Sequence, residues 1–471
     1  MVLNDTGVAF NLVITTRHVT EGKLNQHFIV RSALGTSIAF VIQPELRNAR
    51  SSRSADLMLN EACLLANAIG LEVVHRKVTP LKEIRSGSYF GKGVTERLGR
   101  LVEHSGREIN TPVVIINTGL SPVQQRNLET QIKAKVIDRT QLILEIFGAR
   151  AQTHAGRLQV ELAALCFQRS RLVRSWTHLE RQRGGSGFLG GPGERQVELD
   201  RRMLLDRVTR IKVELSEVTR TRALQRNNRL RSETLTVALI GYTNAGKSTL
   251  FNHLTGANVV SRDMLFATLD PTMRKLHLLS GRKVVLADTV GFISQLPIEL
   301  IEAFKGTLEE VVRADVLLHI HDASSPLVAE EAMDVGAVLS DLGIDAETQA
   351  TRVLHVLNKA DLLEADGDQS HILQNIFSKG VFVSAKTGDG VADLLLHLDR
   401  HLSKSAMLAE ISITPTDGAA RAWLHQNAIV KSSHFDDQGY EQLLVSIDPA
   451  DYSRFCARWS DLSVLRADAS I

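Results

Sequence analysis

The chain has 471 residues, too many for one domain and enough for roughly two to four. Hydrophobic residues make up 44% and charged residues 23%, as in soluble globular proteins. Neither a transmembrane segment nor a signal peptide is predicted. Cys63, Cys166 and Cys456 lie far apart and show no metal-ligand spacing, which favours a reducing cytoplasm over a disulfide framework.

The net charge of +2 is unevenly distributed. Residues 169–231 contain fifteen arginines and one lysine against seven acidic residues, a net charge of +9, and the rest of the chain carries −7. Such asymmetry indicates one cationic element that meets a polyanion. A solvated helix face with internal ion pairs is the alternative.

Residues 1–35 show no clear pattern and are interpreted as a lead-in. Over 36–150, apolar segments alternate with helical ones. The predicted strands are SIAFVIQ, LEVVHR, PVVIIN and AKVIDR, and the predicted helices lie near 53–69, 92–104, 122–132 and 138–147. This alternation predicts parallel pairing and an N-terminal α/β domain.

Residues 151–232 contain two long helical patterns with coiled-coil spacing. Their seams are Leu158, Leu162, Leu165, Leu172, Trp176 and Leu179, then Leu204, Val208, Ile211, Leu215 and Val218. Trp176 is interpreted as a core residue. Between the helices, RGGSGFLGGPGE at 183–194 has six glycines and one proline, which a helix interior does not tolerate. An antiparallel helical hairpin with a glycine-rich tip loop is predicted.

A phosphate-binding loop is predicted at 241–249, where GYTNAGKST follows the strand TLTVALI and precedes a helix. Its glycines let backbone N–H groups wrap phosphates at a helix N-terminus. Lys247 is predicted to reach the β- and γ-phosphates and to act in catalysis, and Ser248 to bind Mg²⁺. The predicted nucleotide contacts here are Gly241, Tyr242, Thr243, Asn244, Ala245, Gly246, Lys247, Ser248 and Thr249.

The base is predicted to be guanine. NKAD at 358–361 follows the strand VLHVL, and the Asp361 carboxylate can accept hydrogen bonds from guanine's N1–H and its exocyclic amine. Two such bonds imply about 10²- to 10⁴-fold discrimination against adenine. SAKTG at 384–388 adds backbone contacts. The predicted base-reading residues are Asn358, Lys359, Asp361, Ser384, Ala385 and Lys386.

Two switch segments are predicted. FATLD at 266–270 lies between the phosphate loop and DTVGF at 288–292. Asp288 and Thr268 are predicted to join Ser248 on Mg²⁺, with Thr272 as the competitor of Thr268, and Gly291 is predicted to sense the γ-phosphate. The remaining predicted contacts are Phe266, Ala267, Leu269, Asp270, Thr289 and Val290.

Phe292 stands where Ras-type enzymes place a water-orienting glutamine. Its side chain has no hydrogen-bonding group, so slow basal hydrolysis that a partner must stimulate is predicted. His319 and His321 alternate on the strand LLHIHDAS and are interpreted as packing residues rather than ligands.

The fold class is therefore α/β and multidomain. A GTPase domain with a mostly parallel sheet is predicted over 233–404, and a small α+β domain over 405–471. In this last region the order strand, helix, strand, strand, helix predicts a partial ferredoxin-like arrangement.

The complete motif set resembles the translation-factor-related class of GTPases. DTVGF, the loop GGSGFLGGPGERQVELDRR at 184–202, and the DRT, IF-x-x-RA and QVELA segments within 127–165 are similar to the HflX family, over roughly 36–400. Arg195 departs from that family's usual Thr or Ser, and Gly190 from its frequent Arg.

The resemblance implies a GTPase that binds the large ribosomal subunit, is stimulated by it, and dissociates or rescues ribosomes. It also implies that the hairpin at 169–231 reaches ribosomal RNA. A monomer without stable membrane insertion is expected. An RNA-binding factor for large-subunit assembly, switched by GTP, is the alternative. A third hypothesis, in which the N-terminal domain uses ATP to remodel RNA, lacks a phosphate loop outside 241–249.

Overall fold

A computed structural model gives the architecture. It describes residues 38–47, 53–105, 112–182, 192–231, 235–257, 265–266, 268–269, 271–295, 298–363, 368–377, 379–403, 407–436, 439–447, 449–459 and 464–468. The described residues all belong to one compact unit, Thr36–Ile471. The lead-in at 1–35 and most of the glycine-rich tip loop, at 183–191, lie outside the described residues.

The N-terminal part is a four-stranded parallel sheet with the order β2-β1-β3-β4. Strand β3 is buried at all four positions, as expected for a parallel strand that is covered on both faces. The predicted alternation of strands and helices is confirmed. The elements are β1 (Ile38–Leu46), α1 (Ala55–Ala68), β2 (Glu72–Leu81), α2 (Lys92–His104), β3 (Val113–Ile116), α3 (Pro122–Ile132), β4 (Lys135–Asp138) and α4 (Arg139–Arg150).

Two long helices follow, α5 (His154–Gln182) and α6 (Pro192–Arg231), and they pack against each other. Of the described seam residues, Leu158, Leu162, Leu204, Val208 and Ile211 are buried, and Leu165, Leu215 and Val218 are half-buried. The side chains of Leu172, Trp176 and Leu179 lie outside the described part. None of the described helices, these two included, is long and apolar enough to cross a membrane.

The central part is a six-stranded sheet with the order β10-β9-β8-β5-β7-β6, in which only β6 runs antiparallel to its neighbour. Its apolar core lies between the sheet and helices α7 and α12. The elements are β5 (Leu235–Gly241), α7 (Lys247–Thr255), β6 (Thr272–His277), β7 (Lys283–Asp288), α8 (Ile298–Arg313), β8 (Val316–Asp322), α9 (Val328–Asp341), α10 (Ala346–Arg352), β9 (Val353–Asn358), α11 (Asp368–Ile376), β10 (Val381–Phe382) and α12 (Val391–Ser403).

The C-terminal part is a four-stranded antiparallel sheet with the order β12-β13-β11-β14. The sequence predicted its first three strands and two helices. The structure adds β14, which pairs with the buried strand β11 and completes a ferredoxin-like order. The elements are β11 (Met407–Ile413), α13 (Gly418–Asn427), β12 (Ile429–Phe435), β13 (Glu441–Ile447), α14 (Pro449–Arg458) and β14 (Val464–Asp468).

Candidate nucleotide-binding site

The phosphate loop joins the end of β5 to the start of α7, and two of its glycines are required by close approach. Gly241 has a φ of 143°, and a Cβ there would lie 2.2 Å from the carbonyl oxygen of Ile320. Gly246 has a φ of 90°, and a Cβ there would lie 2.1 Å from Nδ2 of Asn358. Both positions therefore need a residue without a side chain. Asn244 also adopts a left-handed φ, of 63°.

Lys247 lies buried beneath this loop. Its Nζ donates to the carbonyl oxygens of Tyr242, at 2.7 Å, and of Gly241, at 3.1 Å. Burial lowers the pKa of Lys247 to about 8, and the Asp288 carboxylate opposes that shift. A Cβ at Gly291 would lie 3.0 Å from Nζ of Lys247, so the predicted γ-phosphate sensor lies against the predicted phosphate-binding lysine.

Three oxygen-bearing side chains predicted to bind Mg²⁺ converge. The hydroxyls of Ser248 and Thr268 donate to Oδ2 of Asp288, at 2.7 and 2.9 Å, and the two hydroxyl oxygens lie 2.7 Å apart. The other carboxylate oxygen of Asp288, Oδ1, is buried and has no hydrogen-bond partner in the described part of the chain. Burial raises the pKa of Asp288, and these hydrogen bonds oppose the rise. A hard-oxygen set with an unpartnered carboxylate oxygen fits Mg²⁺.

Thr272, the competitor of Thr268, lies on β6 opposite Asp288 in the strand register. Within the described residues, no hydrogen bond joins its side chain to Ser248 or to Asp288. The convergence therefore favours Thr268.

The guanine-reading residues are tied to the phosphate loop through Asn358. Its Nδ2 donates to the carbonyl oxygen of Ala245 at 2.8 Å, and its Oδ1 accepts from the backbone N–H of Ala385 at 2.9 Å. The Ser384 hydroxyl donates to Oδ1 of Asp361 at 2.6 Å. The structure thus brings 241–249, 358–361 and 384–386 to one edge of the sheet.

Lys359 and Lys386 are placed differently at that edge. Lys359 has a left-handed φ of 63°, and its Nζ pairs with Asp322 at 2.6 Å. Lys386 is exposed. Asp361 is also exposed, so its carboxylate is accessible to a base.

The second switch segment is bonded to the phosphate loop by its backbone. The N–H of Thr243 donates to the carbonyl oxygen of Phe292 at 2.7 Å, and the N–H of Phe292 donates to that of Gly241 at 3.1 Å. The Thr289 hydroxyl donates to the carbonyl oxygen of Leu239 at 2.6 Å, and Val290 is buried. Phe292 is only 2% exposed, so its ring is a packing element.

The first switch segment is described in part. Phe266 has a left-handed φ of 56° and is buried, and Leu269 is buried as well. The Phe266 ring packs edge-on against Phe147 of α4, with centroids 4.7 Å apart. Ala267 and Asp270 lie outside the described residues. Thr249, which completes the predicted set, is half-buried at the start of α7.

Sequence reasoning missed the N-terminal residues that contact this site. The Tyr242 hydroxyl donates to Oε2 of Glu61 at 2.6 Å, and Nη1 of Arg53 donates to that hydroxyl oxygen at 3.2 Å. Arg139 donates to Glu61 and to the carbonyl oxygen of Ser294, the latter at 3.1 Å. Arg139 lies in the DRT segment, which the sequence analysis used only as a point of family resemblance and not as a sign of this contact.

Three family models match the chain in order. They are GTP-binding GTPase N-terminal at residues 56–148, GTP-binding GTPase Middle Region at 150–229, and 50S ribosome-binding GTPase at 236–361.

Individual relatives match most of the chain. The chain is 49% identical over 399 residues to GTPase HflX of Magnetococcus marinus, covering 84% of this chain and 89% of that protein. It is 41% identical over 399 residues to GTPase HflX of Escherichia coli, covering 84% and 91%. A crystal structure of a GTP-binding protein from Sulfolobus solfataricus in complex with GDP is similar at a TM-score of 0.41 and 20% identity, covering 78% of this chain and 98% of that one. The chain belongs to the HflX family of GTPases.

Proposed function

We propose that this GTPase uses Mg²⁺, binds the large ribosomal subunit, and promotes dissociation or rescue of ribosomes. In this proposal it is a cytoplasmic monomer that hydrolyses GTP slowly alone and faster on the ribosome. The observation that carries the proposal is that the phosphate loop, the switch residues and the guanine motif share one edge of a sheet, and that Tyr242 and Phe266 contact helices α1 and α4 of the N-terminal part. The match to a 50S ribosome-binding GTPase model supports the choice of partner.

Each side chain has a defined role in this proposal. Lys247 leaves its carbonyl partners to bind the β- and γ-phosphates, and phosphate charge offsets the burial that lowers its pKa. Ser248, Thr268 and Asp288 would hold Mg²⁺, which neutralises developing charge on the phosphates when bound. Asp361 selects guanine by accepting two hydrogen bonds. Gly291 donates its N–H to the γ-phosphate.

Phe292 supports the predicted dependence on a partner. Its ring is buried, and it has no atom that can orient water. The chain therefore relies on another group to position the attacking water, and the ribosome supplies or orders that group in this proposal.

Contacts with the N-terminal part give a route from nucleotide to hairpin. Phe147 packs on Phe266 of the first switch and on Phe304 of α8, with centroids 4.7 and 5.0 Å away. Helix α5 also packs against α8 and begins four residues after α4 ends. A change in the switches on GTP binding would move groups that α4 and α5 contact directly, and so would bias the position of the hairpin.

Charge on the hairpin favours RNA as its target. Arg202, Arg210, Lys212 and Arg220 of α6 are exposed, as nucleic-acid phosphates would require. Ion pairing accounts for part of the charge, because Arg207 pairs with Glu161 at 2.7 Å. Among the described residues, the partners Glu161 and Asp138 lie outside 169–231 and offset two of its nine net positive charges.

The test is GTP turnover by the purified protein, alone and with large ribosomal subunits. We expect slow turnover alone and a rise of at least tens-fold with the subunit. A variant with Gly190 and Gly191 both changed to proline should retain GTP affinity and lose ribosome dissociation. Rapid turnover without the subunit would contradict the role given to Phe292.

The assembly hypothesis is separated by sucrose-gradient profiles of a deletion strain. Accumulated large-subunit precursors would favour assembly, and normal subunits with poor recovery from stress would favour dissociation or rescue.

A further inference from the structure

Three histidines outside the nucleotide-contacting set meet on one face of the GTPase sheet. His319 and His321 are two residues apart on β8, so their side chains emerge on the same face. His355 on β9 is the register partner of His319 and adds a third imidazole on that face. Two ligands two residues apart on a strand, with a third on the neighbouring strand, can converge on a single ion.

The distances fit a metal site. The ring centroids of His319 and His321 lie 3.9 Å apart, and Nε2 of His321 and Nδ1 of His355 share a hydrogen bond of 3.0 Å, which an ion bound to both nitrogens would replace. One ligand nitrogen from each ring can be chosen such that all three lie within 4.8 Å of one another. Zinc–nitrogen bonds of about 2.0–2.1 Å place tetrahedral ligand nitrogens roughly 3.3 Å apart. Small ring rotations therefore bring the three nitrogens to coordination distance.

The rings are also held in the state that binds metals. Burial lowers the pKa of His319 well below its ordinary value, lowers that of His321 to about 3, and lowers that of His355. Neutral imidazoles keep a lone pair for a metal at neutral pH. The His319 side chain is buried, at 4% exposure, so its imidazole lies away from bulk water.

Packing alone is the alternative reading of the same cluster. Phe377, which directly follows α11, lies 4.4 Å from His321 and 5.1 Å from His355, centroid to centroid, so the histidines could simply complete an aromatic core. Apolar side chains would fill that space without burying polar nitrogens, however. His355 is only half-buried, which leaves a side from which an ion can enter.

We propose that His319, His321 and His355 bind a transition-metal dication of the Zn²⁺ class, with the fourth position open to water. Zn²⁺ is an ion of borderline softness that binds imidazole nitrogens well, whereas Mg²⁺ and Ca²⁺ prefer oxygen ligands. Three neutral imidazoles therefore favour an ion of the Zn²⁺ class. The bound ion would tie β8 to β9 close to the guanine motif, because β8 ends at Asp322 and β9 at Asn358. Asp322 and Lys359 already pair at this edge. Metal occupancy would thus stiffen the strand that carries the base-reading residues.

The test uses full-length, chelator-treated protein in excess Mg²⁺, which occupies oxygen-ligand sites. Titration with Co²⁺ should show one equivalent bound per protein, with the intense visible absorption of a tetrahedral site. Zn²⁺ should displace the Co²⁺ and raise the melting temperature of the protein. His321→Leu and His355→Gln should each weaken Co²⁺ binding by at least 100-fold. His397→Leu, at an exposed position in α12, is the matched control and should bind like the wild type.

GDP affinity serves as the folding check for each variant. Wild-type protein that binds no stoichiometric Co²⁺ or Zn²⁺ would overturn the proposal, whatever the variants do. Equal metal binding by the wild type and by a His321→Leu protein that still binds GDP would overturn it as well. Ribosome stimulation is not part of this test, so failure of the proposed function would leave its result unaffected.

Discussion

The hydroxyl of Tyr242 donates a hydrogen bond of 2.6 Å to Glu61. This contact joins the second residue of the phosphate loop to helix α1 of the N-terminal part. The same hydroxyl oxygen accepts from the backbone N–H of Ser294 at 2.8 Å. One phenol therefore connects the phosphate loop, the segment after DTVGF and the N-terminal part. Burial, together with the Glu61 charge, raises the pKa of Tyr242 and keeps it a donor.

Removing this hydroxyl should destabilise the protein. In Tyr242→Phe the Ser294 N–H and the Glu61 carboxylate each lose a buried partner, so we expect a loss of about 1–3 kcal/mol in the free energy of unfolding, measured by denaturant titration. Tyr89→Phe is the control, because that buried hydroxyl lies 3.4 Å from Thr118 and makes only a weak bond. Similar losses in both variants would show that the Tyr242 contacts carry no special weight.

The Mg²⁺ set can be tested by a pair of threonine variants. Thr268→Ala removes a hydroxyl that lies 2.7 Å from Ser248, so GTP binding should need at least tenfold more Mg²⁺. Thr272→Ala should leave the Mg²⁺ dependence unchanged. Nucleotide affinity measured across a Mg²⁺ titration gives both answers, and the reverse ranking would move the switch role to Thr272.

Base selection should depend on the Asp361 carboxylate. Asp361→Asn accepts one hydrogen bond fewer and offers an N–H in its place, so GTP affinity should fall by about 10²- to 10⁴-fold. A base with a carbonyl in place of the amine, as in xanthosine triphosphate, should bind the variant better than the wild type. Competition binding with GTP, ATP and xanthosine triphosphate measures this, and unchanged GTP affinity would rule out the assigned contact.

Stability should depend on pH through Glu331. This carboxyl lies in the first turn of α9 and accepts from the Ser325 hydroxyl at 3.0 Å. Burial raises its pKa from 4.5 to about 7, the Ser325 hydrogen bond opposes that rise, and the charge of Asp322 adds to it. Below pH 4.5 Glu331 is protonated in both the folded and the unfolded protein, and its contribution to the free energy of unfolding is fully present. Between these values only the folded protein keeps the proton, so stability falls as the pH rises to about 7.

Glu331→Gln should remove this dependence. Each pH unit in the window is worth about 1.4 kcal/mol, so between pH 5 and about 7 the wild type should lose about 3 kcal/mol of unfolding free energy that the variant keeps. Unfolding free energies at pH 5 and pH 8 should differ less in the variant than in the wild type. Glu347→Gln, at an exposed site in α10, is the control. A wild-type-like pH profile in Glu331→Gln would show that this carboxyl is not the titrating group.

The sequence by itself determined the nucleotide site. Each motif follows a strand directly, and parallel strands place their carboxyl ends at one edge of a sheet, so the order of motifs was enough to predict that 241–249, 288–292, 358–361 and 384–386 meet. The α/β alternation of the N-terminal part was predictable for the same reason, because local apolar segments alternate with helical ones.

Tertiary structure alone decided which distant groups join these elements. Glu61 lies 181 positions from Tyr242, and no local pattern marks a carboxylate on α1 as a partner of the phosphate loop. His355 joins His319 and His321 because β9 pairs with β8 in one register, and a slip of one residue would turn its imidazole to the opposite face. Strand β14 likewise forms only because β11 offers an edge. Local spacing fixes which elements form and which faces are apolar, whereas contacts between distant elements depend on packing that spacing does not encode.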